Sequence, residues 1–290
     1  MRPMNDPVIF DRTAVRRHRD RAAPLVHAVA PVLEDIADRL LDRLDDTTYR
    51  FSAALDIGGR GVIGRQLRAR GIDSVVSCDL SPRMARINGG TVLCADEEWL
   101  PFGPGTFDLV VANLSLHWVN DLPGALAQIR HALKPDGLFL ASMPVLPTLA
   151  DLRRALTEAE CALTGGAAPR VSPFPDLRDC ASLLQRAGFA LPVADVEILT
   201  LAYRSAMGLL RDLRAAGETN ALRLRSRQIP WPALFPSALA SLTPDEDDAP
   251  LSVPLRVAIM TGWAPAASQP RPLQPGAFTI SLEEAIKNIE

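Results

Sequence analysis

The sequence predicts an α/β protein, a doubly wound and mostly parallel sheet with a helical cap before it and helical insertions after it. Three observations carry this. Short apolar runs alternate with segments of helical period from residue 51 to about residue 145, the pattern of strands buried on both faces and covered by crossover helices. A glycine-rich turn, Gly58-Gly59-Arg60-Gly61 with Gly64 close behind, joins the first run to the first of these helices. Acids then punctuate successive runs, Asp56 within the first, Asp79 at the end of the second and Asp96 at the end of the third. A unit of strand, glycine turn, helix, strand and acid binds a nucleotide-like ligand at the carboxyl ends of parallel strands.

Taken in order, residues 1–21 form a basic leader containing Arg12, Arg16, Arg17, Arg19 and Arg21. Residues 25–44 carry Leu25, Val29, Val32, Leu33, Ile36 and Leu40 near helical spacing, with Pro24 or Pro31 at a start or kink. The first strand lies within 51–57, and four more are expected at 75–79, 92–96, 107–113 and 137–143. Helices are expected at 62–70, 82–87 and 122–133, the last with Asp121 as N-cap and Pro123 in its first turn. Prolines punctuate the chain after Met143, and the periodicity gives helices near 149–163, 177–187, 205–216 and 231–242 and strands at 193–203 and 251–263. Gly188 and Gly217 sit where a helix C-terminus wants a left-handed residue. Residues 243–250 read as an acidic loop, and a proline-rich, extended tail follows.

Composition narrows the classes. At 290 residues the chain buries a sizeable core without disulfides or metal. A net charge of −3 argues against a general nucleic-acid-binding protein, and of 31 basic residues only Lys134 and Lys287 are lysines. The four cysteines form no C-x-x-C pair and sit among apolar neighbours, so reduced thiols in a reducing, cytoplasmic setting are expected. The N-terminal stretch lacks the apolar segment of a secretory signal, and no uncharged apolar run reaches the ~18 residues of a membrane span.

Asp79 follows Gly58 at roughly the 20-residue spacing of the dinucleotide fingerprint, which leaves a nicotinamide nucleotide open on that ground alone. Two features oppose it. Arg60 interrupts the glycine pattern, and Asp56, two residues before Gly58, would repel a pyrophosphate while suiting a cationic nucleotide.

The motifs Asp56-Ile57-Gly58-Gly59-Arg60-Gly61, Cys78-Asp79-Leu80-Ser81-Pro82, Ala95-Asp96-Glu97-Glu98-Trp99-Leu100-Pro101-Phe102, Phe107-Asp108-Leu109-Val110-Val111-Ala112-Asn113 and Leu133-Lys134-Pro135-Asp136-Gly137 resemble, in order, those of the class I S-adenosylmethionine-dependent methyltransferases of the type 11 group. Phe10-Asp11-Arg12, the leader arginines, 116–123, 213–220 and 261–265 extend the likeness to bacterial relatives of the complex I assembly arginine hydroxylases. The malonyl-ACP O-methyltransferases of biotin synthesis are similar over the core. The resemblance implies a Rossmann-like class I methyltransferase fold. Its regions are a leader and cap at 1–48, an S-adenosylmethionine-binding core at 49–145, a part completing the sheet at 146–265 and a tail at 266–290.

It also implies residue roles. Asp56 with Gly58, Gly59 and Gly61 would line the methionine part of S-adenosylmethionine. Asp79 would hold the ribose, Asp96 and Glu97 would face the adenine amino group, and Leu80 and Trp99 would flank the adenine. Asn113 and Leu114 would lie beneath the sulfonium. Where the family has a glycine at the middle of the turn this chain has Arg60, unless one residue is deleted and Gly59-Arg60-Gly61 stands in register with a family G-R-G; its side chain is expected to point outward. His117, just past the fourth strand, is the candidate base or substrate ligand, against simple packing, and Tyr203 is a candidate for the acceptor pocket, against simple core. The leader arginines form a lid or a docking patch for an acidic protein or carrier, or else a solvated helix face. No histidine spacing points to a metal site. The expected function is methyl transfer to an unknown acceptor, a protein subunit, a carrier-bound acyl group or a small molecule. Protein arginine hydroxylation in complex I assembly, and a non-catalytic cofactor-binding assembly factor, are the alternatives.

Overall fold

A computed structural model describes residues 8–243 and 249–270. Seven strands form one sheet in the order β3-β2-β1-β4-β5-β7-β6. The parallel part comprises β1 (Ala53–Ile57), β2 (Ser74–Asp79), β3 (Thr91–Cys94), β4 (Phe107–Asn113) and β5 (Leu133–Pro144). β6 (Ala190–Tyr203) and β7 (Leu251–Trp263) complete the sheet, β7 pairing antiparallel with both β5 and β6. The order reverses between β1 and β4, where a doubly wound sheet opens its ligand crevice. This is the Rossmann-like class I methyltransferase topology that the motif order implies.

Every residue of β4 is buried, as its unbroken apolar run requires. β3 is an edge strand and is exposed along its length. It ends at Cys94, two residues short of the expected Asp96, which instead makes an isolated bridge with Trp99 as the chain turns away. β5 starts at Leu133, directly after α5 (Leu122–Ala132), so the strand is longer than the expected 137–143.

Helices α3 (Ile63–Ala69), α4 (Pro82–Ile87) and α5 connect the parallel strands. Ser81 caps α4 by accepting from the Met84 N–H at 3.0 Å, with Pro82 at the first position. Asp121 does the same for α5 through the Gly124 N–H at 2.9 Å. The expected single helix over 25–44 is broken. A 3-10 turn at Val26–Val29 precedes α2 (Ala30–Leu41), whose first turn holds Pro31, and a second turn follows at Asp42–Leu44. Proline has no N–H to give to a preceding turn, so the helix restarts there.

The second half supplies α6 (Ala150–Thr164), α7 (Leu177–Arg186), α8 (Ala206–Ala215) and α9 (Leu234–Ala240), the last shorter than the expected 231–242. Leu152, Leu156, Leu209, Ala238 and Val253 form a core of their own between α6, α8, α9 and β7. The basic leader is a helix, α1 (Arg12–Ala22), capped by Asp11. Residues 266–270 turn back, with Gln269 donating to Asp136 at 2.8 Å, rather than running extended; the rest of the expected tail, most of the acidic loop and residues 1–7 lie outside the described residues.

Candidate functional site

The carboxyl ends of β1, β2 and β4 meet under the glycine turn. Gly58 has φ +66° and Gly61 φ +86°. A Cβ at Gly58 would fall 2.5 Å from the Ser115 Cβ, and one at Gly59 would fall 2.1 Å from an Asp56 oxygen. The turn therefore needs glycine both for its conformation and for its closeness to neighbouring side chains.

Arg60 takes the left-handed conformation, φ +50°, as a non-glycine residue. Its side chain points inward, which corrects the sequence expectation. The guanidinium is buried, donating to the Leu114 carbonyl at 3.0 Å and to Glu218 at 2.5 Å. An ion pair more than a hundred residues away in sequence holds it there.

Asp56 is fully buried and accepts from the Gly64 N–H at 3.2 Å and the Ser77 hydroxyl at 2.9 Å, while its Oδ1 has no partner. Burial pushes its pKa up to about 7, only partly offset by those two hydrogen bonds. Asp79 is also fully buried; its Oδ1 accepts from the Ser81 N–H at 2.7 Å and its Oδ2 has no partner. Burial raises its pKa against the opposing pull of Arg19.

α1 lies across these acids. Arg19, 1% exposed, pairs with Glu97 at 2.5 Å and stands 3.5 Å from Asp79. Arg12 pairs with Asp96 at 2.6 Å and with Glu97, and donates to the Trp118 carbonyl. Burial opposes ionisation of Glu97, but the two arginines win and hold its pKa at about 2. Arg12 and Arg19 are thus neither solvated nor a free docking patch, while Arg16, Arg17 and Arg21 of the same helix are exposed. Leu80 packs against the Phe10, Val15 and Trp118 cluster beneath α1, and Trp99 is 64% exposed beyond β3.

Asn113 is committed to structure, donating to the Leu33 carbonyl at 3.2 Å and accepting from the Ser142 hydroxyl at 2.6 Å. Leu114 follows at φ +49°. His117 comes next, in a 3-10 turn at Leu116–Trp118, where its Nε2 meets Glu218 at 2.7 Å. Glu218 also accepts from Trp118 at 2.7 Å and from Arg60. Burial opposes its charge, yet His117 and Arg60 outweigh burial and push its pKa well below the usual carboxylate range. A carboxylate only accepts, so Nε2 of His117 carries the proton that meets Glu218, and Nδ1 is buried and without a partner.

His117, Arg60, Leu114 and Glu218 line one end of a cavity of about 410 Å³. Its other walls are mainly aliphatic, from α2, α6, α8, β6 and β7, and Tyr203 lies in one of them with its hydroxyl bonded to Asp212. Burial and Asp212 raise the Tyr203 pKa, which keeps it protonated. The structure thus brings His117, Tyr203 and Leu114 to one cavity, and gathers Asp56, the glycines, Asp79 and Glu97 at the neighbouring strand ends. Glu218 was the partner that local sequence patterns did not single out, and Arg19 was read only as one of the leader arginines.

A Rossmann-like sheet of this order, with a glycine turn over a buried acid and a second acid ending β2, defines a class I methyltransferase. A methyltransferase domain matches residues 55–141. The mitochondrial arginine-hydroxylase NDUFAF5 of Homo sapiens is 37% identical over 95% of this chain and 83% of its own length. The malonyl-[acyl-carrier protein] O-methyltransferase of Methylovorus sp. (strain MP688) is 34% identical over 90% of this chain and 92% of its own. A putative methyltransferase from Bacillus halodurans superposes with a TM-score of 0.56 at 15% identity, covering 79% of this chain and all of its own, which shows the shared fold. The chain belongs to the S-adenosylmethionine-dependent methyltransferase family that these relatives share.

The residues fit the family's cofactor. The buried, unpartnered Oδ2 of Asp79 is an acceptor suited to a ribose hydroxyl, and the unpartnered Oδ1 of Asp56 is an acceptor whose charge burial opposes and a cationic ligand would favour.

Proposed function

We propose that the chain methylates a proton-bearing acceptor seated in the cavity, with His117 as general base and Glu218 as its positioning residue. The His117–Glu218 pair at the cavity's inner end carries the reading. Asp56, Asp79 and the glycine turn would hold S-adenosylmethionine, which supplies an activated methyl group on sulfur and leaves as a neutral thioether. The chain's own contributions are alignment and proton removal. The acceptor gives its proton to His117 Nδ1 as it gains the methyl, and Glu218 stabilises the resulting imidazolium. Tyr203, held as a phenol by Asp212, is a hydrogen-bond donor on the wall.

His117→Asn tests this. It should lower kcat by about 100-fold or more while leaving S-adenosylmethionine affinity, read by calorimetry, within error of the parent. An unchanged rate would remove His117 from the chemistry. No cofactor binding at millimolar ligand would instead favour the non-catalytic scaffold.

Identity across nearly the whole length to a protein named as an arginine hydroxylase supports a second reading, oxygen insertion on a protein arginine. Mass analysis of treated acceptor separates the two, a gain of one methylene against a gain of one oxygen atom. Among the described residues no cluster of His, Cys, Asp and Glu is arranged to hold a metal, and no helix is long and apolar enough to cross a membrane. The free thiols, with Cys94 and Cys161 exposed, support a reducing, cytoplasmic setting.

A further inference from the structure

We infer that the acceptor is a small apolar molecule ending in a single hydroxyl, alcohol or phenol, with its apolar body filling the cavity and the hydroxyl at His117. This deepens the methyl-transfer reading and rests on it for the ligand's role as acceptor. It rests on the cavity alone for the ligand's class.

The cavity's size, about 410 Å³, falls in the ~300–1,000 Å³ range of small-molecule sites. Its walls away from the strand ends come from Leu33, Leu152, Leu156, Leu209 and Val253, which offer only hydrocarbon. Most polar groups in its lining are already matched to one another. Arg170 pairs with Glu160 at 2.5 Å, the Tyr203 hydroxyl bonds Asp212, and Glu218 is saturated by Arg60, His117 and Trp118. An ionic or many-armed polar ligand would therefore lose water without gaining partners.

Among the described residues that line the cavity, two buried side-chain polar atoms have no partner: Nδ1 of His117 and Nε of Arg60. Both residues belong to the inner end. In the neutral imidazole that a general base requires, Nδ1 is an acceptor, and the Arg60 Nε–H is a donor. A hydroxyl matches both in chemistry, since it donates one hydrogen and accepts on its lone pairs. A carboxylate would answer Arg60 and leave Nδ1 unmet. A cationic amine would answer Nδ1 and face the guanidinium with like charge. The hydroxyl's proton is also the one that methyl transfer must remove.

Alkyl esters of 4-hydroxybenzoate, from methyl to octyl, are suitable probes, with binding read by calorimetry on the full chain. Affinity should rise roughly three- to fourfold per added methylene until the cavity is full. Capping the phenol as its methyl ether should cost about tenfold, by removing the donor to His117. Leu156→Trp should abolish the gain with chain length, and Leu209→Trp, from a different helix, should do the same. S-adenosylmethionine affinity of each variant reports that the fold is intact.

Affinity independent of chain length, an equal affinity for the capped phenol, or no effect of either tryptophan would overturn the inference. So would binding of a peptide or a pantetheine-borne acyl group with these phenols excluded. Length-dependent binding without methyl transfer would sustain the ligand class and sink the acceptor role, so the two failures are told apart.

Discussion

At residue scale the glycine turn poses a contest between strain and charge. Arg60 sits at φ +50°, where a side chain costs about 1–2 kcal/mol relative to glycine. Arg60→Gly relieves that strain but strips the guanidinium from Glu218 and the Leu114 carbonyl. Breaking a buried pair costs about 3–5 kcal/mol, so the charge term wins. The variant should lose about 2–3 kcal/mol of unfolding free energy by difference, checked by urea denaturation; a stabilised variant would refute the pairing. Asp56 offers a pH test. Its folded pKa of about 7 lies above the ordinary carboxylate value, so the folded state holds the proton more tightly than the unfolded chain. Its contribution to stability is whole below about pH 4 and is lost as pH rises through 7, an amount of about 4 kcal/mol at 1.36 kcal/mol per pKa unit. Asp56→Asn should therefore flatten the fall in ligand-free stability between about pH 4 and pH 7, measured by thermal melts against pH; an unaltered slope would show that Asp56 does not titrate there. Arg60's inward course was not legible in the sequence, because its carboxylate partner lies in a distant loop and no local pattern records that.

At the scale of elements, legibility followed periodicity. β4 and β7 occupy the residues that their apolar runs predict, 107–113 and 251–263, because buried strands need little beyond an unbroken hydrophobic stretch. β3 ended early because an edge strand lacks a second neighbour to hold its last residues in register. α1 was the least legible. Five arginines in one short segment left a lid, a docking patch and a solvated face open; Arg16, Arg17 and Arg21 are exposed, whereas burial of Arg12 and Arg19 depends on counter-charges elsewhere, here at 79, 96 and 97. Arg19→Met puts a number on this. It leaves Asp79 buried without its cation and should cost about 3–5 kcal/mol. Adding Glu97→Gln should recover part of that loss, because the two positions are coupled through one ion pair. Denaturant midpoints of the single and double variants check it, and strictly additive losses would refute the coupling.

At the scale of the whole molecule, the two halves divide the work. The parallel sheet presents the acids and the glycine turn, and it is the half whose motifs could be read in order. The second half contributes β6, β7 and four helices, of which α6, α8 and α9 line the cavity with the two strands while α7 packs against α5. Its composition carried no site motif because an apolar pocket is built from the same leucines and valines as any core. Only the fold distinguishes a leucine that packs from one that faces empty space.

The acids beneath α1 outnumber the arginines that cover them. Asp79, Asp96, Glu97 and Glu98 gather around Arg12 and Arg19. The strand ends thus retain an anionic surplus even with the leader in place. Two arginines stand against four acids, and the leader helix leaves the strand ends short of full neutralisation.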